Sequence, residues 1–222
     1  MNFNDMKRSP RYHTSSLPEA QFEPGSRGLV LKNKLGITSK RAMDKIEREE
    51  QLRVIEKLAG IYDVNHCFIA ADICNIHKIW LDKIYEWAGK YRQVNVSKED
   101  FIFAAAAQVP KLMSEFEKKE LHEFTPCNFK SIEQVVNALA VAHTELVLVH
   151  PFREGNGRVA RMLSILMGLQ SGLPPLDFSG IVGRKKKEYI SAVHAGMARN
   201  YGQMENVFGY LIRRTLRTRG RK

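Results

Sequence analysis

Cysteine is scarce in this chain of 222 residues: only Cys67, Cys74 and Cys127 occur. An odd, small number gives no disulfide framework. His66, Cys67, Cys74 and His77 lie close together, but no C-x-x-C pair is present and the spacing suits no zinc finger or ribbon. Set among Phe68, Ile69, Ile73 and Ile76, Cys67 and Cys74 read as buried thiols. Long apolar runs are missing too. Residues 146–149 and the mostly apolar 162–169 fall far short of a membrane span, and residues 1–8 have no apolar signal core. The expectation is a soluble, cytoplasmic protein with no membrane partner. There is no Walker-type Gly-Lys-Ser, kinase loop, helix-turn-helix or RNA-binding fingerprint. Acidic residues are outnumbered, 24 against 35 basic, for a net charge of +11. Much of that excess sits in Arg184-Lys185-Lys186-Lys187 and in Arg213, Arg214, Arg217, Arg219, Arg221 and Lys222. Such runs attract polyanions, yet solvated faces account for most of them, so nucleic acid is only weakly suggested. The charge equally suits a protein that holds a triphosphate.

What is present is a helical chain with a hydrophobic share of 44%, enough for a core. Residues 1–28 are polar and punctuated by Pro10, Pro18, Pro24 and Gly25, which predicts an extended arm draped over the domain. Ser39 is placed to cap a helix over 40–62, with Ala42, Met43, Ile46, Leu52, Ile55, Leu58 and Ile61 as its apolar stripe. A second helix is predicted over 70–87, because Ile73, Ile76, His77, Trp80, Leu81, Ile84 and Trp87 recur at three- and four-residue steps. The period then changes. Residues 91–96 alternate, 97–100 read as a turn and 101–103 follow, which predicts a short hairpin that must lie on something. Helices resume over 108–119, over 131–149 from Ser131, over 157–170, over 185–199 and over 204–214. The architecture is an all-α bundle with one small β-hairpin.

One loop stands apart: His150-Pro151-Phe152-Arg153-Glu154-Gly155-Asn156-Gly157-Arg158, running on to Arg161. The helix after it offers free N–H groups and the positive end of its dipole. Gly155 and Gly157 permit tight turns and close ligand approach, so together they suggest an anion nest. Arg158 and Arg161 share a helix face and both reach anionic oxygens. Glu154 is the kind of oxygen ligand that Mg²⁺ takes beside phosphates. His150 has a pKa near working pH and suits removal of a proton from an attacking hydroxyl. Base, metal ligand, nest and two guanidiniums make a complete set for phosphoryl or nucleotidyl transfer.

Residues 150–161 resemble the signature of the Fic family, His-Pro-Phe-x-x-Gly-Asn-Gly-Arg-x-x-Arg, at every fixed position. Residues 76–92 look like the family's segment before its flap, 94–103 like the flap itself and 189–207 like its closing helices. By this likeness residues 39–211 form a Fic-type bundle, with an arm at 1–38 and a basic tail at 212–222. The resemblance implies a protein adenylyltransferase that moves AMP from ATP, with Mg²⁺, to a Ser, Thr or Tyr hydroxyl of a target protein. His150 would be the base and Glu154 the Mg²⁺ ligand. Gly155, Asn156 and Gly157, with the Arg153 amide, would hold phosphate oxygens. Arg158 would contact the phosphates, and Arg161 the γ-phosphate. Phe152 would anchor the loop in the core, and Tyr189 would close the adenine pocket. The flap's edge, through Val96, Ile102 and Phe103, either docks a target strand or merely covers the site.

Many relatives are restrained by a helix carrying Ser/Thr-x-x-x-Glu before Gly or Asn. Here Glu205-Asn206 has the ending, but Tyr201 stands in the hydroxyl position; Ser15 lies four before Glu19, but Ala20 follows and Pro18 intervenes. Without such a glutamate the family's common restraint is a small antitoxin protein, which would make this chain the toxin of a pair. Two other readings stay open. One is transfer of phosphate or another nucleotide on the same fold, although relatives that phosphorylate carry Lys where Gly157 stands. The other is a nucleic-acid-binding or scaffolding protein that uses the basic tail.

Overall fold

The computed structural model describes residues 16–98 and 101–219. The Ser39 side chain accepts the Ala42 N–H and that of Ser131 accepts the Gln134 N–H, so these hydroxyls open α1 (Lys40–Ile61) and α5 (Ile132–Val149). Between them come α2 (Ala70–Leu81), the strands β1 (Ser97–Lys98) and β2 (Phe101–Ile102), α3 (Val109–Phe116), a wide π turn at Glu117–Leu121 and a last helical turn, α4 (His122–Phe124). The chain continues as α6 (Asn156–Gln170), α7 (Arg184–Gly196) and α8 (Gly202–Arg219). The fold is an all-α bundle with one two-stranded antiparallel hairpin, in which Ser97 pairs with Ile102 and Lys98 with Phe101.

The bundle is arranged around α5, which packs on α6, α7, α8 and α3. By length and composition α5 is apolar enough to cross a membrane. The short apolar runs counted in the sequence understate it, because polar residues interrupt them. Here α5 forms the buried axis, with Ala138, Leu139, Ala140, Ala142 and Leu146 enclosed.

Several expectations change. Of the expected α1 stripe, Met43 and Leu58 are buried and Ile46 and Ile55 pack against the core, but Glu47 and Val54 are buried with them, while Leu52 is 71% exposed and Ile61 45%. The helix predicted over 70–87 stops at Leu81, whose carbonyl accepts the N–H groups of both Ile84 and Tyr85 while Lys34 takes the Ile84 carbonyl. Ile84, Tyr85 and Trp87 are still buried, as their spacing suggested, but from turns. The strand content begins at Ser97 rather than Tyr91, because residues 91–94 are held by Arg92 against the loop after α5; residues 99–100 lie outside the described part. Helix α8 runs on to Arg219 with Leu211, Ile212 and Thr215 buried, so the boundary drawn at 211/212 falls inside a helix. Arg221 and Lys222 lie outside the described residues, as does the start of the arm through Ser15.

The described arm is draped as expected. Phe22 pairs with Leu31, and Val30 and Leu31 enter the core. The thiols differ from expectation: Cys67 is exposed, Cys74 half-buried and only Cys127 enclosed. Cys67 sits in the loop before α2, off the helical face that Ile73, Ile76 and Trp80 bury. Among the described residues no group of three His, Cys, Asp or Glu is placed to hold a metal ion.

Two buried histidines brace the bundle. His143 of α5 lies between the hydroxyls of Ser164 and Tyr189, at 3.0 and 2.9 Å. Ser164 donates to the Ala160 carbonyl, so His143 Nδ1–H donates to Ser164 and Nε2 accepts from Tyr189. His77 Nδ1 accepts the Gly89 N–H at 2.7 Å, so its Nε2–H donates to the Glu154 carbonyl at 3.2 Å. Burial is the first cause that lowers both pKa values to about 3.

Both rings are neutral when folded and take up protons near pH 6.5 when unfolded, so stability is full above pH 6.5 and falls as pH drops toward 3. Urea unfolding at pH 7 and pH 5 is expected to show a loss on the order of 3 kcal/mol from these two groups. Equal midpoints at the two pH values would contradict neutral burial.

Candidate active site

The last turn of α5 delivers His150. Its amide still bonds to the Leu146 carbonyl, at 3.2 Å, while its own φ of 52° and ψ of 58° turn the chain out of the helix. A non-glycine residue held in this left-handed region marks a constrained position. His150 Nδ1–H donates to the Val147 carbonyl at 3.0 Å, which leaves the lone pair on Nε2. Burial lowers the pKa of His150 to about 4, the bond to Val147 opposes this, and Arg92 lowers it again. At neutral pH the ring is therefore a free base.

Arg92 holds the loop's entrance. Its side chain is 2% exposed and donates to three carbonyls: Nε to His150 at 2.7 Å, Nη1 to Val94 at 2.9 Å and Nη2 to Ala104 at 2.6 Å. Its amide donates to Pro151. One guanidinium thus ties both stems of the hairpin to the loop after α5. Buried Glu19 of the arm stands nearby, its carboxylate accepting the Gln93 N–H at 2.6 Å and its carbonyl accepting Arg153 Nε at 2.9 Å.

The rest of the loop is braced from beneath. Phe152 is fully buried and stacks on His77 with ring centres 3.9 Å apart. The Asn156 side chain accepts the Phe152 N–H and donates to the Phe152 carbonyl, both at 2.8 Å. It is therefore engaged in closing the loop, while the Asn156 backbone N–H is open to an anion. Gly155 has φ of 86°, and a Cβ there would lie 2.6 Å from the Trp80 ring, so only glycine fits. Gly157 differs: a Cβ there would meet nothing within 4 Å, so its openness serves the cavity rather than the fold. The amides of Asn156 and Gly157 stand at the start of α6, where no preceding turn supplies an acceptor. The Gly155 amide donates to the Glu154 carboxylate at 2.9 Å.

Two cavities meet at His150. One, of about 410 Å³, is polar and lined by Val96, Lys98, Arg153, Glu154, Gly157, Arg158 and Arg161 among others. The other, of about 490 Å³, is more apolar and lined by Phe101, Phe103, Val147, Tyr189, Ile190, Val193 and His194, with Arg161 at its edge. Arg161 lies 5.8 Å from the Phe178 ring centre, and its buried Nε has no hydrogen-bond partner. Arg158 Nη2 lies 3.3 Å from the Glu154 carboxylate. The hairpin roofs both cavities: Phe103 stacks on His150 with centres 3.5 Å apart, and Phe101 on His194 at 4.9 Å. Of the residues expected to form a docking edge, Phe103 thus turns inward, Val96 is half-buried and Ile102 is 79% exposed.

All the loop residues expected at the site come together, and Tyr189 joins them from α7. Glu205 does not. It lies on α8, where its carboxylate accepts Asn137 Nδ2 at 2.8 Å, and it lines neither cavity. Glu19 contacts Arg153 and Gln93 rather than Arg161. Sequence reasoning missed Arg92 and Glu47 as parts of the site, and read His77 and Trp80 as a buried helix face rather than as supports of the loop. For Glu47 a signal existed: a lone acid on the apolar face of α1. For Arg92 there was none, because its partners lie up to 58 residues away.

With this geometry in hand, residues 65–167 match the model of the Fic/DOC family. The chain is 27% identical over 211 residues to protein adenylyltransferase VbhT of Bartonella schoenbuchensis, covering 93% of this chain and 40% of the relative. It is 23% identical over 211 residues to protein adenylyltransferase Fic of Nematostella vectensis, covering 93% and 46%. It thus spans less than half the length of these relatives. The solved structure of BepC from Bartonella tribocorum, with bound AMPPNP, superposes with a TM-score of 0.66 at 26% identity, over 82% of this chain and 91% of that one.

Replacing Arg92 by Met would leave three buried carbonyls without their donor, at a cost on the order of 3 kcal/mol. Lysine is expected to recover little, since an ammonium does not span the same fork. Urea unfolding of the two variants measures this, and a wild-type midpoint for Arg92→Met would remove the role assigned to it.

Proposed function

We propose that this chain transfers AMP from ATP to a hydroxyl of another protein, with His150 as the base, a reading supported by the match of residues 65–167 to the model of the Fic/DOC family. One observation carries the reading. A neutral imidazole, with its lone pair on Nε2, stands where a polar cavity lined by three arginines and a helix N-terminus meets an apolar cavity of a size to take a purine. The relatives named as adenylyltransferases, and the AMPPNP bound in BepC, support the choice of nucleotide.

The triphosphate would occupy the polar cavity, with the amides of Asn156 and Gly157 and the guanidiniums of Arg158 and Arg161 on its oxygens. Glu154 fits Mg²⁺: it is a half-exposed carboxylate lining that cavity, the hard oxygen donor this ion takes beside phosphates. Mg²⁺ bound there would offset phosphate charge. The base would rest in the apolar cavity against Tyr189, whose hydroxyl is already given to His143 and whose ring is left as a wall. The target oxygen then attacks the α-phosphorus in line. The new O–P bond forms as the bond to the bridging oxygen of pyrophosphate breaks, and the hydroxyl proton passes to His150 Nε2. Positioning and fixed charge do most of the work, since the protein makes no covalent bond.

The exposed Ile102 on β2 supports target docking along the hairpin's edge, with Phe103 beneath as cover. Arg161 has no acidic partner among the described residues. That supports restraint by a separate small protein that brings its own carboxylate, rather than by Glu205 or Glu19.

With α-labelled ATP, Mg²⁺ and a cell lysate, wild type is expected to label a protein that the His150→Ala variant does not, while calorimetry shows ATP binding retained in the variant. Equal labelling by both would end the base assignment. Arg161→Ala is expected to weaken ATP more than ADP; equal loss for the two nucleotides would remove its role at the γ-phosphate.

A further inference from the structure

Glu47 is an acid where an apolar residue belongs. It lies on α1, outside residues 65–167, and is 1% exposed among Met43, Val54 and Leu58. Its surroundings are specific. Tyr85 Oη donates to its Oε1 at 2.7 Å, and Trp80 Nε1 donates to its carbonyl at 2.9 Å. Its Oε2 accepts no hydrogen bond and faces Arg158 Nη1 at 2.6 Å, an ion pair rather than an aligned hydrogen bond. A buried carboxylate without a counter-charge is costly, so the two residues hold each other in place.

The guanidinium of Arg158 is fixed on a second side by Trp80, whose ring centre is 4.6 Å away. Its other terminal nitrogen, Nη2, is turned to Glu154 in the polar cavity. One end of the fork is thus anchored behind the loop and the other is presented to the site. Arginine has a long side chain with much freedom to lose on binding, and holding it beforehand removes part of that loss.

We propose that Glu47 is the positioning residue for Arg158, an acid on a helix outside the signature that aims this guanidinium at the nucleotide phosphates. The inference rests on the reading that the polar cavity takes those phosphates. It assigns Glu47 no contact with substrate.

The test is a double-mutant cycle with Mg·ATP binding by calorimetry as the readout. Glu47→Gln is expected to weaken ATP roughly three- to tenfold. Arg158→Ala should weaken it at least as much, and the double variant should be no worse than Arg158→Ala alone, because Glu47 acts only through Arg158. Glu47→Asp keeps the charge but withdraws it from Arg158; it should shift affinity in the same direction and decides the matter if Glu47→Gln does not fold. Unchanged or tighter binding in a folded Glu47 variant overturns the proposal, the latter because Glu47 would then compete with phosphate. Losses that add to that of Arg158→Ala overturn it too, since they report a general structural effect. Wild type that binds Mg·ATP but labels no protein would sink the transfer reading and leave this one standing; wild type that does not bind Mg·ATP would sink both.

Discussion

The structure depends on what becomes of one buried guanidinium. Arg92 cannot lose its charge, and burial strips it of water, so its donors must find oxygen within the fold. It finds three carbonyls, on His150, Val94 and Ala104. Those groups belong to the end of α5 and to both stems of the hairpin. Satisfying one cation therefore fixes the distance between His150 and the hairpin that roofs it. The arm completes the arrangement. Glu19 brings a carboxylate to the Gln93 amide beside Arg92 and a carbonyl to Arg153, so residues drawn as an appendage brace the segments that build the site.

The contacts that hold the loop share a pattern. His77 reaches the carbonyl of Glu154, Trp80 lies under Gly155, and Asn156 closes on Phe152. Gly155 and Asn156 are each explained by a neighbour in the fold. Asn156 serves this purpose more than ligand contact, because both ends of its amide are occupied by the backbone of Phe152. Gly155 and Gly157 look alike in the sequence yet answer to different constraints: the first to a tryptophan ring, the second to the cavity.

Much of this was legible in the sequence because it is local. Caps at Ser39 and Ser131, the apolar faces of α2 and α5 and the loop from His150 to Arg161 are written within a few residues of where they act. The end of α2 was not legible, since spacing alone does not tell a buried helix turn from the buried turns that carry Ile84, Tyr85 and Trp87. Nor was the continuation of α8, where a run of arginines looks like a tail although Leu211, Ile212 and Thr215 pack beneath it. Arg92, His77 and Glu47 became visible only in the fold, because their partners lie 58, 77 and 111 residues away. Glu47 did leave a trace, as a charge on an apolar stripe, the kind of local inconsistency that marks functional positions.

Phe103 lies flat on His150, 3.5 Å away between ring centres. For an enzyme of the kind proposed, this has a bearing on waste. Water is the commonest hydroxyl in any cell, and an uncovered base beside a bound triphosphate would hydrolyse it. An aromatic ring over the imidazole excludes small, weakly held nucleophiles. A protein segment laid along the hairpin offers enough contact to shift that ring, whereas a single water does not. The same stacking that closes the site would then sort productive acceptors from solvent by how much surface each brings with it.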